Sequence, residues 1–389
     1  MVVAGIILSV LCIFINPLYI LIIGSIVEIY KKLPTYFNYV LAFSIAIAIS
    51  NREIGVQWSS ANGTGMDDAV NYINWYLQTE SNSYILNFQD IIANTLSGKE
   101  PLWFILVEIA GKVSLYNINF LIFISIFVPV LIFHSAFQKT TKYFCFAALV
   151  FYFLIPEIFH MLFHLFRTSI GFSIVLLCFS GLLAANKSRS KLIYLAPFGH
   201  IAMILPSSVL FFGRFINFNL SITNKIIGII ILSTSFFIGL YALLFIAYLI
   251  GLEKIAYYLS AEGEIFILGT RHLIYLILSV YLLALTKHKN TYLISLSTFL
   301  ILCLPFTLNG IGLIFERILI LFTPLLALCL VYEINGSKLK RVCIIFLLSI
   351  NFLLLVTKIH DQLFYQYMSD GKFFNFFSGI FHNFYTYFL

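Results

Sequence analysis

Residues 157–171 read EIFHMLFHLFRTSIG. Taken as a helix, the stretch sets Glu157, His160, His164 and Arg167 at i, i+3, i+7 and i+10. At about 100° per residue they share one stripe less than a quarter-turn wide. The remaining faces carry Phe, Leu, Ile and Met. A charge in lipid costs several kcal/mol, so ionisable groups on such a stripe face a cavity, a partner or a substrate. The alternative is an interfacial helix whose arginine snorkels to headgroup phosphates. Both readings put this helix in a membrane.

The rest of the chain agrees. Its 389 residues are 61% hydrophobic and 10% charged, a surface that water cannot solvate. The expected fold is all-α: a polytopic helical membrane bundle, one integral domain over 1–389, with an outer loop at 51–116 and an outer-surface tail at 358–389. The six cysteines sit singly in apolar runs, so they read as small hydrophobes and give no metal or disulfide pattern.

Working outward, apolar spans are expected at 2–23 (a retained span, since no basic n-region or cleavage site accompanies it), 36–50, 117–137, 143–157, 167–185, 226–250, 272–286, 291–308, 316–335 and 342–357. The polar stretch 51–101 carries Gly and Asn near residue 60, which marks a loop, and short amphipathic helices at 66–78 and 83–96. Residues 101–116 open on a helix-starting Pro101 and carry Glu108 and Lys112 at i, i+4, a helix dipping into the interface. The stretch 192–213 is interrupted by Pro197, Gly199, His200 and Pro206. Basic clusters at 31–32, 139–142, 187–191, 287–289 and 338–341 share one side only if this stretch is two half-length helices turning at His200. Broken helices at membrane depth line cavities. The count is then about 11–12 membrane segments with both termini outside. Of the 16 acids, only Glu28 and Glu333 join the basic clusters inside.

This topology gathers unusual groups at the outer face. Arg52, Arg167, Arg271 and Arg317 stand at the mouths of spans, where positive charge is normally depleted. A ring of guanidiniums suits a diphosphate at headgroup level, because arginine gives permanent, bidentate charge; four separately snorkelling arginines are the alternative. His200, in APFGHIAMILP, reads either as a general base or hydrogen-bond donor, or as a histidine satisfied by a carbonyl at a kink. Asp67 and Asp68 pair in the outer loop, as a base, a cation site or a helix cap. His160 and His164 have the i, i+4 spacing of a metal pair but no HExxH and no nearby third ligand, so no metal and no cofactor are expected. No P-loop, dinucleotide fingerprint, nucleophile elbow or nucleic-acid module is present.

Five pieces, in order, resemble the EpsG/Wzy group of polysaccharide polymerases, which includes many O-antigen polymerases. They are Arg52 with GMDDAVNYINWY, KEPLWFILVEIAGKV, LFRTSIGFSIVLL, LAPFGHIAMILP and FERILILFTP. Asp68 with Tyr72, Glu100-Pro101-Leu102-Trp103, Arg167, Ala196 with His200, and Arg317 match the family's pattern; Thr168 stands where the family often carries Gln. The resemblance implies a glycosyltransferase of lipopolysaccharide or similar surface-polysaccharide biosynthesis. It would join undecaprenyl-diphosphate-linked oligosaccharide repeat units at the periplasmic face of the bacterial inner membrane. Its partners would be that lipid-linked oligosaccharide, membrane lipid, a flippase and a chain-length regulator, with no nucleic acid. On that reading Arg167 and Arg317, with Arg52 or Arg271, take the leaving diphosphate. His200 or Asp68 takes the acceptor proton, His164 orients the donor, and Asp67, Glu100 and His160 contribute to substrate binding. The alternatives are a multi-span glycosyltransferase using a polyprenyl-phosphate sugar donor, and a flippase or transporter of lipid-linked oligosaccharide.

Overall fold

The computed structural model describes residues 2–14, 17–30, 32–50, 58–60, 63–65, 68–81, 100–154, 157–158, 161–162, 165–184, 191–212, 227, 234, 270–304 and 312–334. The expected spans at 226–250 (residues 227 and 234 apart) and 342–357, the helix at 83–96 and the tail lie outside the described residues. What is described is all-helical apart from one small hairpin, and it is a polytopic membrane bundle. The chain divides into two compact units, residues 1–207 with 331–389, and residues 208–330.

The first unit opens on α1 (Val2–Phe14) and α2 (Pro17–Tyr30), followed by α3 (Thr35–Ser50). The single span expected at 2–23 is therefore two helices. The reason lies in Asn16-Pro17: proline has no N–H to continue a helix but starts a new one well. The two run side by side in opposite directions, because Val3 and Ile7 line one apolar groove with Val27 and Tyr30. The Tyr36 hydroxyl donates to the Val2 carbonyl at 3.2 Å. The start of α1 thus lies at the Lys32 end of the bundle, not at the opposite end as a single span would place it.

A short antiparallel hairpin, β1 (Trp58–Ser60) with β2 (Gly63–Gly65), precedes α4 (Asp68–Ser81). Then come α5 (Pro101–Ser114), α6 (Ile118–Thr140), α7 (Phe144–Leu154) and α8 (Phe166–Leu183). The α5–α6 corner is tight: Leu115 and Tyr116 both have positive φ, 52° and 60°. The Gly111 carbonyl accepts the Tyr116 N–H at 2.9 Å, and Asn117 Oδ1 caps α6 by accepting from Phe120 N at 3.2 Å. Tyr76 of α4 reaches this corner, 3.2 Å from Ser114 Oγ. Glu108 is buried in α5, 3.7 Å from Lys112 Nζ; burial pushes its carboxyl upward while Lys112 pulls the other way. The core of the unit is the packing of α6 on α3 and α8, with Phe133 edge-on to Phe151 and Phe172.

A side-chain cap joins α2 to α7. The Glu28 carboxylate accepts the backbone N–H groups of Cys145 at 3.0 Å and Phe146 at 3.2 Å. These are donors of the first turn of α7, which have no partner inside the helix, so a carboxylate from another helix serves as the cap. It sets Glu28 at the Lys142 end of the bundle. Glu28→Ala is expected to leave these buried N–H groups unsatisfied at about 1–3 kcal/mol, read as a lower melting temperature in detergent. Glu28→Gln, which keeps one acceptor oxygen, recovers part of the loss. An unchanged melting temperature for Glu28→Ala would mean that the cap contributes nothing.

After α8 the chain changes character. A 3-10 turn at Lys191–Leu195 leads into the one-turn α9 (Ala196–Gly199). His200 is extended (φ −163°, ψ 131°), a second 3-10 turn covers Ile201–Met203, and α10 follows at Ile204–Phe212. The expected break at His200 is present. The second unit contains α11 (Thr270–Leu285), α12 (Lys289–Cys303) and most of α13 (Gly312–Ile334). Among the described residues, three stretches are long and apolar enough to cross a membrane: α6, α8 and Arg317–Ile334 of α13.

Candidate functional site

The site forms where three segments of the first unit meet: the start of α5, the start of α8 and the break after α9. Glu100 precedes Pro101 at the N-terminus of α5 with an extended backbone, so its side chain is not committed to the helix it opens. Its carboxylate reaches Arg167, the second residue of α8, with Arg167 Nη1 donating to Glu100 Oε2 at 2.8 Å. Its other oxygen, Oε1, lies 3.8 Å from His200 Nε2, longer than a hydrogen bond. One carboxylate thus faces an arginine 67 residues later in the chain and a histidine 100 residues later.

The surroundings are aromatic. The Arg167 guanidinium carbon lies 5.1 Å from the centre of the Tyr72 ring, a cation–π distance. Tyr72 in turn leans on Trp103 at 5.3 Å and on Phe166 at 5.8 Å. Trp103 and Phe166 are fully buried, and Glu100 is 9% exposed. The Arg167 side chain keeps 29% of its surface exposed, so the guanidinium sits at the edge of the site, where an anion can reach it.

Backbone contact positions His200. A Cβ on Gly199 would stand 2.6 Å from the Gly171 Cα, and one on Gly171 would stand 2.9 Å from the His200 nitrogen. The backbones of α8 and α9 therefore touch, one helical turn below Arg167. Beyond that contact, the His200 N–H donates to the Ala196 carbonyl at 3.3 Å and His200 Nδ1 accepts the Ala202 N–H at 3.2 Å.

The structure brings Glu100, Arg167 and His200 together. Asp68 is the first residue of α4, one turn before Tyr72; its side chain lies outside the described residues, as do Arg52, Asp67, His160 and His164 entirely. In the second unit, Arg317 is exposed near the start of α13. His272 of α11 packs against Phe315 of α13 at 5.6 Å, so the helices that carry Arg271 and Arg317 start side by side. The Arg271 side chain lies outside the described residues.

One expectation fails in its geometry. Residues 157–171 are not one helix: Leu165 is non-helical (φ −112°, ψ 57°), and α8 starts anew at Phe166. Arg167 therefore does not continue a straight stripe from Glu157; it opens a helix of its own and turns to Glu100. Apolar periodicity runs unbroken through Leu165, so the pattern carries no sign of the break. Tyr72 and Trp103 were visible as family motif positions but not as the wall of a site. The signal for Tyr72 was its i+4 spacing from Asp68 on an amphipathic helix.

Among the described residues, no group of three or more His, Cys, Asp or Glu side chains is placed to hold a metal ion. No curated protein and no solved structure matches the chain. The model of the EpsG family matches residues 54–369, which span every segment of the site.

Proposed function

The chain belongs to the EpsG family, associated with exopolysaccharide synthesis, and from that premise we propose that it is the polymerase that joins lipid-linked repeat units. The substrate is an undecaprenyl-diphosphate-linked oligosaccharide at the periplasmic face of the inner membrane. The growing chain leaves its lipid diphosphate and is transferred to a sugar hydroxyl of the next unit. A flippase delivers the units, and a chain-length regulator is the second expected partner.

The observation that carries this reading is Arg167, a half-buried guanidinium at the head of an apolar helix, held by one carboxylate and one aromatic face. A guanidinium fixed in this way is suited to receive the charge that develops on a departing diphosphate. Arg52 is a further candidate for the same anion, Arg271 and Arg317 are candidates for an anion at the heads of their own helices, and Asp68, Asp67, His160 and His164 are candidates for sugar contacts.

The test is a gel of the surface glycan from a strain lacking the gene, with and without a plasmid copy. The expected result is a ladder that collapses to core plus one repeat and returns on complementation. Loss of every repeat, including the first, would point to an assembly glycosyltransferase or a flippase. An unchanged ladder would remove the polymerase reading.

A further inference from the structure

Sequence alone lets His200 stand as the base of a transfer reaction. Its hydrogen bonds point elsewhere. Nδ1 accepts the backbone N–H of Ala202, two residues on, in a local turn of the Asx kind. A ring nitrogen that accepts an N–H presents its lone pair there, so the tautomer assigned from this bond carries its proton on Nε2. A proton added to Nδ1 would oppose the Ala202 N–H. The proton of His200 therefore sits on Nε2, and Nε2 is the atom turned to Glu100 Oε1 at 3.8 Å. One imidazole nitrogen has spent its lone pair and the other carries the proton. The carboxylate beside them keeps lone pairs on both oxygens, and Arg167 occupies only one of those on Oε2.

Resting on the polymerase reading, we propose that Glu100 is the catalytic base and that His200 is a positioning residue whose Nε2–H steers Glu100 Oε1. In the step, the acceptor hydroxyl oxygen attacks the anomeric carbon of the donor. The bond from that carbon to the diphosphate oxygen breaks, and its electron pair leaves with the diphosphate. The hydroxyl proton passes to Glu100 Oε1 and from there to water. The same geometry ties binding to chemistry. Arg167 neutralises Glu100 until a diphosphate competes for the guanidinium. As the anion draws Arg167 towards itself, the carboxylate is released from its 2.8 Å partner with both substrates in place.

The experiment compares four variants on a plasmid in the deletion strain, reading polymer output against membrane level of the tagged protein. Glu100→Gln keeps the shape of the side chain and an acceptor for Arg167 but cannot hold the proton. It is expected to lower polymer about 100-fold or more, as loss of a general base does. Glu100→Asp keeps a carboxylate and retains partial output. His200→Gln carries an amide N–H towards the Nε2 position and is expected to stay within about tenfold of wild type, because a donor is all that the role requires. His200→Asn keeps the acceptor for Ala202 but has no donor at Nε2, and is expected to fall well below His200→Gln.

Output from Glu100→Gln near wild type overturns the proposal. So does a His200→Gln variant as inactive as Glu100→Gln, which would return the base to His200. If Glu100→Gln fails to accumulate, the His200→Gln and His200→Asn pair decides: retention in the first and loss in the second supports the proposal, and loss in both overturns it. An intact ladder in the deletion strain itself removes the polymerase reading before any variant is compared.

Discussion

Arg167→Ala is expected to remove polymer from the surface glycan while single repeats are still delivered. The size of the effect follows from the role. Removing one fixed donor to a developing negative charge costs about 10²–10³ in rate, and here the donor is a full charge at the rim of an apolar site. Arg167→Lys keeps the charge but not the planar fork that meets two oxygens at once, so it is expected to keep only a minor part of the activity. A structural loss is separable from this. Alanine at 167 leaves Glu100, with 10% of its side chain exposed, without its 2.8 Å partner. That costs about 1–3 kcal/mol of stability, reduced by the water that reaches the partly exposed guanidinium. Combining Arg167→Ala with Glu100→Gln removes the orphaned charge. The double variant is expected to accumulate in the membrane better than Arg167→Ala alone and still make no polymer. Full-length polymer from Arg167→Ala, with the protein detectable by immunoblot, would take Arg167 out of the reaction.

How much of this was legible in the chain depends on the range of the forces involved. The helices at 68–81, 118–140, 144–154, 166–183, 270–285 and 312–334 fall within a few residues of their expected bounds. In lipid every backbone group must pair within its own segment, so apolar run length maps almost directly onto helix length. The break at His200 was legible because Pro197 and Gly199 announce it. The break at Leu165 was not, since leucine is an ordinary helix former and the surrounding periodicity is continuous. The division at Asn16-Pro17 was present in the sequence but outweighed by an apolar run long enough for one span. Contacts across the fold left weaker traces. Glu28 was visible as an acid on the basic side, but nothing near it in sequence says that it caps a helix that starts at residue 144. Glu100, Arg167 and His200 were singled out one by one, yet their meeting through a single carboxylate is a tertiary fact. The tautomer of His200 depends on a backbone bond to Ala202 that forms only because the chain is extended at that one residue.

The meeting of these three side chains rests on two residues that have none. Gly171 and Gly199 let α8 and α9 approach until a Cβ on Gly199 would lie 2.6 Å from the Gly171 Cα and 2.8 Å from its nitrogen. Both obstacles are backbone, so neither can rotate aside as a side-chain tip would. Gly199→Ala must push α9 away from α8, and His200, the next residue, moves with it. Its Nε2 already stands 3.8 Å from Glu100, so further displacement takes it out of reach. A misplacement of about 1 Å in a catalytic constellation costs on the order of 100-fold, and Gly199→Ala is expected to lower polymer by about that factor. Gly171→Ala meets the Met203 side chain at 2.8 Å, which can yield, and the His200 nitrogen at 2.9 Å, which cannot, so a loss in the same direction is expected. Phe198→Ala is the control. It changes a larger side chain in the same turn, but one that is 50% exposed, and it is expected to leave the ladder intact. If Gly199→Ala polymerises as well as Phe198→Ala, the helix contact is slack, and His200 is positioned by the Ala202 and Ala196 hydrogen bonds alone.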